Sequence, residues 1–104
     1  MVTQTIERTA LTNLISNEDY ARKVLPFIKG NYFEVKEERI IFEEIYNFVD
    51  KYKTIPTQTS LEIEVGERKD LTEIEYKKIV EIIQTLNPVE VDFDWLVDTT
   101  EKFC

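Results

Sequence analysis

The apolar positions of this chain recur at helical spacing nearly throughout, and its few glycines and prolines divide them into segments. From Gln4 to Ser16, the side chains of Ile6, Ala10, Leu11, Leu14 and Ile15 lie on one half of a helical wheel. Asn17 is placed to cap a second helix through Leu25 that turns Tyr20, Val24 and Leu25 inward. Pro26 ends it, because proline biases the preceding residue away from helix. Phe27 and Ile28 lead to a turn at Gly30-Asn31, and Tyr32, Phe33 and Val35 lead out of it. The clearest helix runs from Glu37 to Lys53. Its Ile41, Phe42, Ile45, Phe48, Val49 and Tyr52 follow the i, i+1, i+4, i+7, i+8, i+11 pattern of a wide buried face. Glu38, Glu43, Glu44, Asn47 and Lys51 fall away from that face and read as its solvent side, so this is the expected central helix.

Thr54-Ile55-Pro56-Thr57 reads as a linker, after which Thr57 or Thr59 caps a short helix ending near Gly66. Thr72 with Glu75 three residues on is a capping box, and Tyr76, Ile79, Val80, Ile83 and Leu86 form the inner stripe of the helix it opens. Asn87-Pro88 stops that helix. A closing helix carries Phe93, Leu96, Val97, Thr100 and Phe103 on one stripe, with Asp92 or Asp94 as its cap. Ile63 and Val65 alternate with glutamate over too short a run to predict a strand. The expected fold is therefore all-α: a compact bundle of about five to six helices in one domain over residues 1–104. Its predicted core holds Leu14, Phe33, Ile41, Phe42, Ile45, Phe48, Val49, Ile79, Val80 and Ile83.

The last helix has no closing signal. No Gly, Asn or Pro and no polar tail follows its apolar stripe, which reads as the front part of a longer protein interrupted within a helix. Trp95 points nearly opposite to Phe93, Leu96 and Phe103. One face of the helix can pack on the core, which leaves Trp95 turned elsewhere, and such tryptophans anchor contacts between proteins. The candidate contact residues are Trp95, Phe93, Leu96 and Phe103 on this helix and Glu37 and Glu38 on the central one.

Composition narrows the chemistry. A net charge of −8 repels phosphate backbones, so DNA contact by this domain is not expected, whereas a basic protein partner suits it. No apolar run reaches membrane-spanning length. A single cysteine, Cys104, cannot form an internal disulfide and fits a reducing cytoplasm. Histidine is absent, which removes the commonest general base and metal ligand. Gly30 and Gly66 stand too far apart to build a phosphate-binding loop. Asp92, Asp94 and Asp98 lack the Gly and Glu of a calcium loop, with Val97 where the Gly would stand, so capping explains them better than a metal. No catalytic, cofactor-binding or metal-ligating residue is expected in these residues.

The order of pieces is itself informative. Leu14-Ile15-Ser16 closes the first helix, and Tyr20-Ala21-Arg22-Lys23-Val24-Leu25 follows. The aromatic turn Asn31-Tyr32-Phe33 comes next, then Ile41-Phe42-Glu43-Glu44-Ile45, then Ile55-Pro56-Thr57 with Leu61 behind it. This succession resembles the amino-terminal domain of DnaB-family replicative helicases. Trp95-Leu96-Val97 with Thr100-Glu101-Lys102-Phe103 resembles the T-even-type phage branch in particular. The likeness runs from about Ala10 to Phe103. Glu37 and Glu38 stand where bacterial members often carry a Pro-His pair, a departure that points to the phage branch and puts any contact made by that pair in question.

The resemblance implies a collar domain above a motor ring. It implies partners in other subunits of the same helicase, in primase and in the helicase loader. ATP and Mg are implied only for a separate motor domain further along the chain. A helical hairpin is implied after the last helix, and without it the chain is expected to be a monomer or weak dimer. Two other readings stand beside this one: the helicase-binding domain of a primase, and a free-standing small acidic protein that inhibits a basic partner.

Overall fold

The computed structural model describes residues 5–88 and 90–103. Gln4 and Cys104 lie outside the described residues, as does the side chain of Phe103. Six helices make up the regular structure: α1 (Ile6–Leu14), α2 (Glu18–Val24), α3 (Lys36–Tyr52), α4 (Gln58–Gly66), α5 (Glu73–Gln84) and α6 (Phe93–Phe103), with a 3-10 turn at Gly30–Tyr32. No strand occurs among the described residues. The molecule is a slab of 37 × 37 × 23 Å, about two helix diameters thick. α3 packs against α1 on one side and against α4 and α5 on the other, while α6 closes over α1 and α2.

Local chemistry sets most of the boundaries. Thr5 caps α1 by accepting from the Arg8 amide at 3.1 Å, Asn17 caps α2 through Tyr20, and Thr72 and Glu75 form the capping box of α5. Thr57 caps α4 through a reciprocal pair with Ser60, which leaves Thr59 on the helix itself. The carbonyl of Asp92 accepts from the Leu96 amide at 2.9 Å, the first helical bond of α6, so Asp92 rather than Asp94 holds the cap position. Lys53 ends α3 in the left-handed region at φ 60°. Gln58 of α4 donates from Nε2 to the carbonyls of Ile83 and Leu86 at 2.9 and 3.2 Å, satisfying groups that the end of α5 leaves open. Gly66 lies where the chain meets Tyr76: a Cβ there would sit 3.3 Å from the ring, so a larger residue would require the Tyr76 side chain to shift by a few tenths of an ångström.

One core runs through the slab. Leu11, Leu14, Tyr20, Phe33, Ile41, Ile45, Leu61, Ile79, Ile83 and Leu96 are its largest fully buried side chains. Although α3 joins the two sides, α1 is the more deeply buried helix, with Thr9 to Leu14 all inside. Its polar members bond back into their own helix. Thr9 and Thr12 donate to the carbonyls of Thr5 and Arg8, and Asn13 donates to that of Thr9. Burial is therefore possible all round a helix whose sequence shows only half an apolar wheel.

Three expectations need correction. Glu38 is buried, not solvent-facing, because α1 covers that side of α3; its carboxylate accepts from Arg8 Nε at 2.7 Å. Phe48 is only partly buried. Beyond Ile45 no residue of α3 is buried, and the Phe48 ring instead meets the Tyr52 ring at a tilt of 45° with centroids 4.7 Å apart. Val80 is likewise only partly buried, since α5 packs through a narrow line of Ile79 and Ile83. Val49 is half-buried at the edge of the core.

Candidate functional site

Residues from α2, from the second half of α3 and from the loop after it frame a groove of about 530 Å³. Its apolar lining is Ala21, Leu25, Pro26, Tyr46, Val49 and Ile55. Tyr46, Val49 and Lys53 recur at helical spacing on one line of α3 and so face it together. Tyr46 is half exposed, and its ring continues a chain of aromatic contacts from the core: Tyr32 to Phe33, Phe33 to Phe42, and Phe42 to Tyr46 at 6.2 Å. The groove is thus mounted on rigid, packed side chains. Its charged rim carries Glu18, Arg22, Asp50 and Lys53. Glu18 and Arg22 pair at 3.1 Å, whereas Asp50 and Lys53 make no ion pair among the described residues.

The second feature is on α6. Leu96, Val97 and Thr100 are buried, and Thr100 ties the helix to α2: the Tyr20 hydroxyl lies 2.7 Å from its Oγ1, which itself donates to the Leu96 carbonyl. The opposite side of α6 shows Trp95, 53% exposed, between the exposed carboxylates of Asp94 and Asp98. Ile63 and Ile74 are more exposed still, so exposure alone does not single Trp95 out; tryptophan is, however, among the residue types enriched at contacts between proteins.

The predicted contact residues therefore separate. Trp95 is at the surface, Phe93 is half-buried, and Leu96 is a core residue that no partner can reach. The side chain of Phe103 lies outside the described residues. Glu37 is half-buried at the start of α3, and Glu38 is engaged internally with Arg8. The groove residues were missed in the pattern. Leu25 counted only as an inward residue of the second helix, Ala21 was not singled out, and Tyr46 stood one position off the main stripe of α3. A second line through Tyr46, Val49 and Lys53 was the available signal.

Surface ion pairs account for the displaced titrations. Glu75 is drawn down to about 2 by the Lys36 ammonium at 2.6 Å and by the Thr72 amide it caps, and Lys36 is raised in return. Arg68 bridges Glu43, Glu44 and Asp70, with its shortest contact to Glu44 at 2.8 Å. The guanidinium pulls Asp70 below the ordinary carboxylate range. These pairs join α3 to α4 and α5; Glu43 and Glu44 are thus engaged with Arg68 rather than merely solvated. A polar cleft of about 480 Å³ beside Asn17 is lined by Glu18, Asp19 and Glu90. Among the described residues no three His, Cys, Asp or Glu side chains gather where a metal could sit. No described helix is long and apolar enough to cross a membrane.

No protein-family model matches the chain. It is 32% identical over 93 residues to the DnaB-like replicative helicase of Enterobacteria phage T4. The match covers 89% of this chain and 19% of that relative, so the chain spans about a fifth of the relative's length. The chain thus resembles a DnaB-like replicative helicase over most of its own length, in agreement with the likeness read from the order of its helices.

Proposed function

We propose that this chain is the amino-terminal assembly and docking domain of a hexameric phage replicative DNA helicase. In this reading it catalyses nothing itself. It contributes to ring formation and to contacts with primase and the helicase loader in the host cytoplasm. ATP and Mg belong to a motor domain encoded elsewhere in the same protein. The observation that carries the reading is the 32% identity across 89% of this chain to a replicative helicase of which it spans only 19%. The surface supports it: an open tryptophan and an apolar groove suit contacts with protein, and a charge of −8 does not suit a DNA track. That the relative is itself a helicase also favours this reading over the primase and inhibitor readings.

The test compares the full-length gene product with a version lacking residues 1–103. The shortened protein is expected to keep ATP hydrolysis by its motor domain, to lose stable hexamers in light scattering, and to lose capture by the primase from the same genome. A shortened protein that still forms rings and still binds primase rejects the assignment. So does a gene with no phosphate-binding loop motif anywhere after this region.

A further inference from the structure

The polar cleft at the start of α2 has three carboxylates on its walls, Glu18, Asp19 and Glu90, and no cationic side chain. Glu18 is held by Arg22 at 3.1 Å. Asp19 and Glu90 are exposed and make no ion pair among the described residues. Asn13 lines the same cleft although it is only 5% exposed. Its Nδ2 donates to the Thr9 carbonyl at 2.9 Å, which fixes the orientation of the amide and leaves Oδ1 as the spare atom. That oxygen accepts no hydrogen bond among the described residues, yet it is not sealed from solvent, so it opens into the cleft that its residue lines. An asparagine buried this deeply ordinarily has both ends of its amide engaged. A buried acceptor and two unpaired carboxylates therefore border one cleft.

We infer that this cleft receives the ammonium group of a lysine carried by a basic segment of a partner protein. An ammonium brings three N–H donors and no acceptor, and Asn13 Oδ1 with the Asp19 and Glu90 carboxylates supplies acceptors for them. Bonds between an ammonium and a carboxylate are charge-assisted and strong. A bare metal ion suits these walls less well, because among the described residues no three His, Cys, Asp or Glu side chains gather where a metal could sit. The cleft's volume of about 480 Å³ leaves room for the methylene stem of a lysine, which can run over Pro88 and Val91. The charge of −8 draws a basic segment towards the domain as a whole, and the cleft decides where its lysine docks. The inference gives the docking reading above a place and a chemistry, and rests on that reading for the presence of a partner.

The experiment titrates fluorescein-labelled pentalysine with the full-length gene product at physiological salt and reads anisotropy. Asp19→Asn combined with Glu90→Gln is expected to weaken binding about tenfold. Glu67→Gln combined with Glu81→Gln removes the same charge at exposed positions elsewhere and is expected to change binding by less than about twofold. A peptide of five trimethyl-lysines keeps the charge but has no side-chain N–H donor, and is expected to bind about tenfold more weakly to the unaltered protein. Carbodiimide coupling of pentalysine is expected to mark Asp19 or Glu90 ahead of Glu67 and Glu81. Equal losses in the two double variants, equal binding of the methylated peptide, or coupling spread evenly over exposed carboxylates would reduce the attraction to net charge and overturn the site. Calcium alone displacing the peptide would reassign the cleft to a metal and overturn it as well. ATP hydrolysis is read on the same sample: a product that binds pentalysine in the cleft yet hydrolyses no ATP sinks the helicase reading and leaves the cleft standing.

Discussion

Glu38 and Trp95 show how far a residue's environment can depart from its place in a pattern, and in opposite directions. Glu38 lies on the polar side of α3 yet is 5% exposed, because α1 packs there and Arg8 supplies the counter-charge. Removing the carboxylate strands a guanidinium whose side chain is only 31% exposed. Glu38→Ala is expected to cost about 2 kcal/mol, less than a fully buried pair would because water still reaches Arg8. Urea unfolding would show it as a lower midpoint at constant slope; a shift worth under about 0.5 kcal/mol would mean the pair is no more than a surface contact. On α6, Leu96→Ala should cost about 3 kcal/mol, while its neighbour Trp95→Ala stays within about 0.5 kcal/mol. Thermal melts that reverse this order would place the tryptophan in the core. Trp95 was legible in the sequence as the residue turned away from its own helix's stripe. The engagement of Glu38 was not, because nothing local to α3 says that α1 will cover its polar side.

At the scale of elements, the caps were the most readable features, since a cap is decided by residues three positions apart. The capping box of α5 also anchors a contact between elements: Glu75 holds both the Thr72 amide and the Lys36 ammonium. Its folded-state pKa of about 2 is below its ordinary value, so its stabilising effect is present above that value and is lost as pH falls through about 2. The melting temperature should fall as pH is lowered from ~5 to ~2, and Glu75→Gln should flatten that fall. The group is partly exposed, so salt should shrink the effect; a salt-independent acid transition identical in the variant would assign it to other carboxylates. Between α2 and α6, Tyr20→Phe should cost about 1 kcal/mol, because Thr100 keeps its bond to the Leu96 carbonyl while the phenol contact is lost. A neutral Tyr20→Phe would mean that apolar contacts alone hold α6 in place. The unused apolar positions at the end of α3 have the same explanation as the groove: the helix runs on beyond Ile45 without a covering layer, leaving Tyr46, Phe48, Val49 and Tyr52 partly or fully open.

For the whole molecule, charge governs what can approach. At −8 the chain should show no anisotropy change with fluorescent single-stranded DNA at micromolar concentration and low salt, where electrostatic binding is strongest. Saturable binding under those conditions would point to a basic channel that the net charge conceals. The ion pairs Arg8–Glu38, Lys36–Glu75 and Arg68 with Glu43 and Glu44 each join a helix to another helix or to the loop between α4 and α5. Each cation in these pairs engages at least one carboxylate, so the pairs fix helices to one another without making the molecule more acidic than its net charge of −8.

Helix positions, the caps of α2 and α5, the all-helical class and the family likeness were determined by the sequence alone, because each rests on residues within a few turns of one another or on the order of such segments along the chain. Which face of each helix is covered was decided only in three dimensions. α1 is buried all round because α2, α3 and α6 surround it, and its threonines and Asn13 find partners in its own backbone. Phe48 and Val80 are only partly buried and do not join the core, although their spacing is that of core residues. The groove exists because α2, the end of α3 and the Ile55 loop come together from separate parts of the chain. Periodicity states which side of a helix is apolar; only the packing of the other helices states how much of that side, and of the polar side opposite, is withdrawn from water.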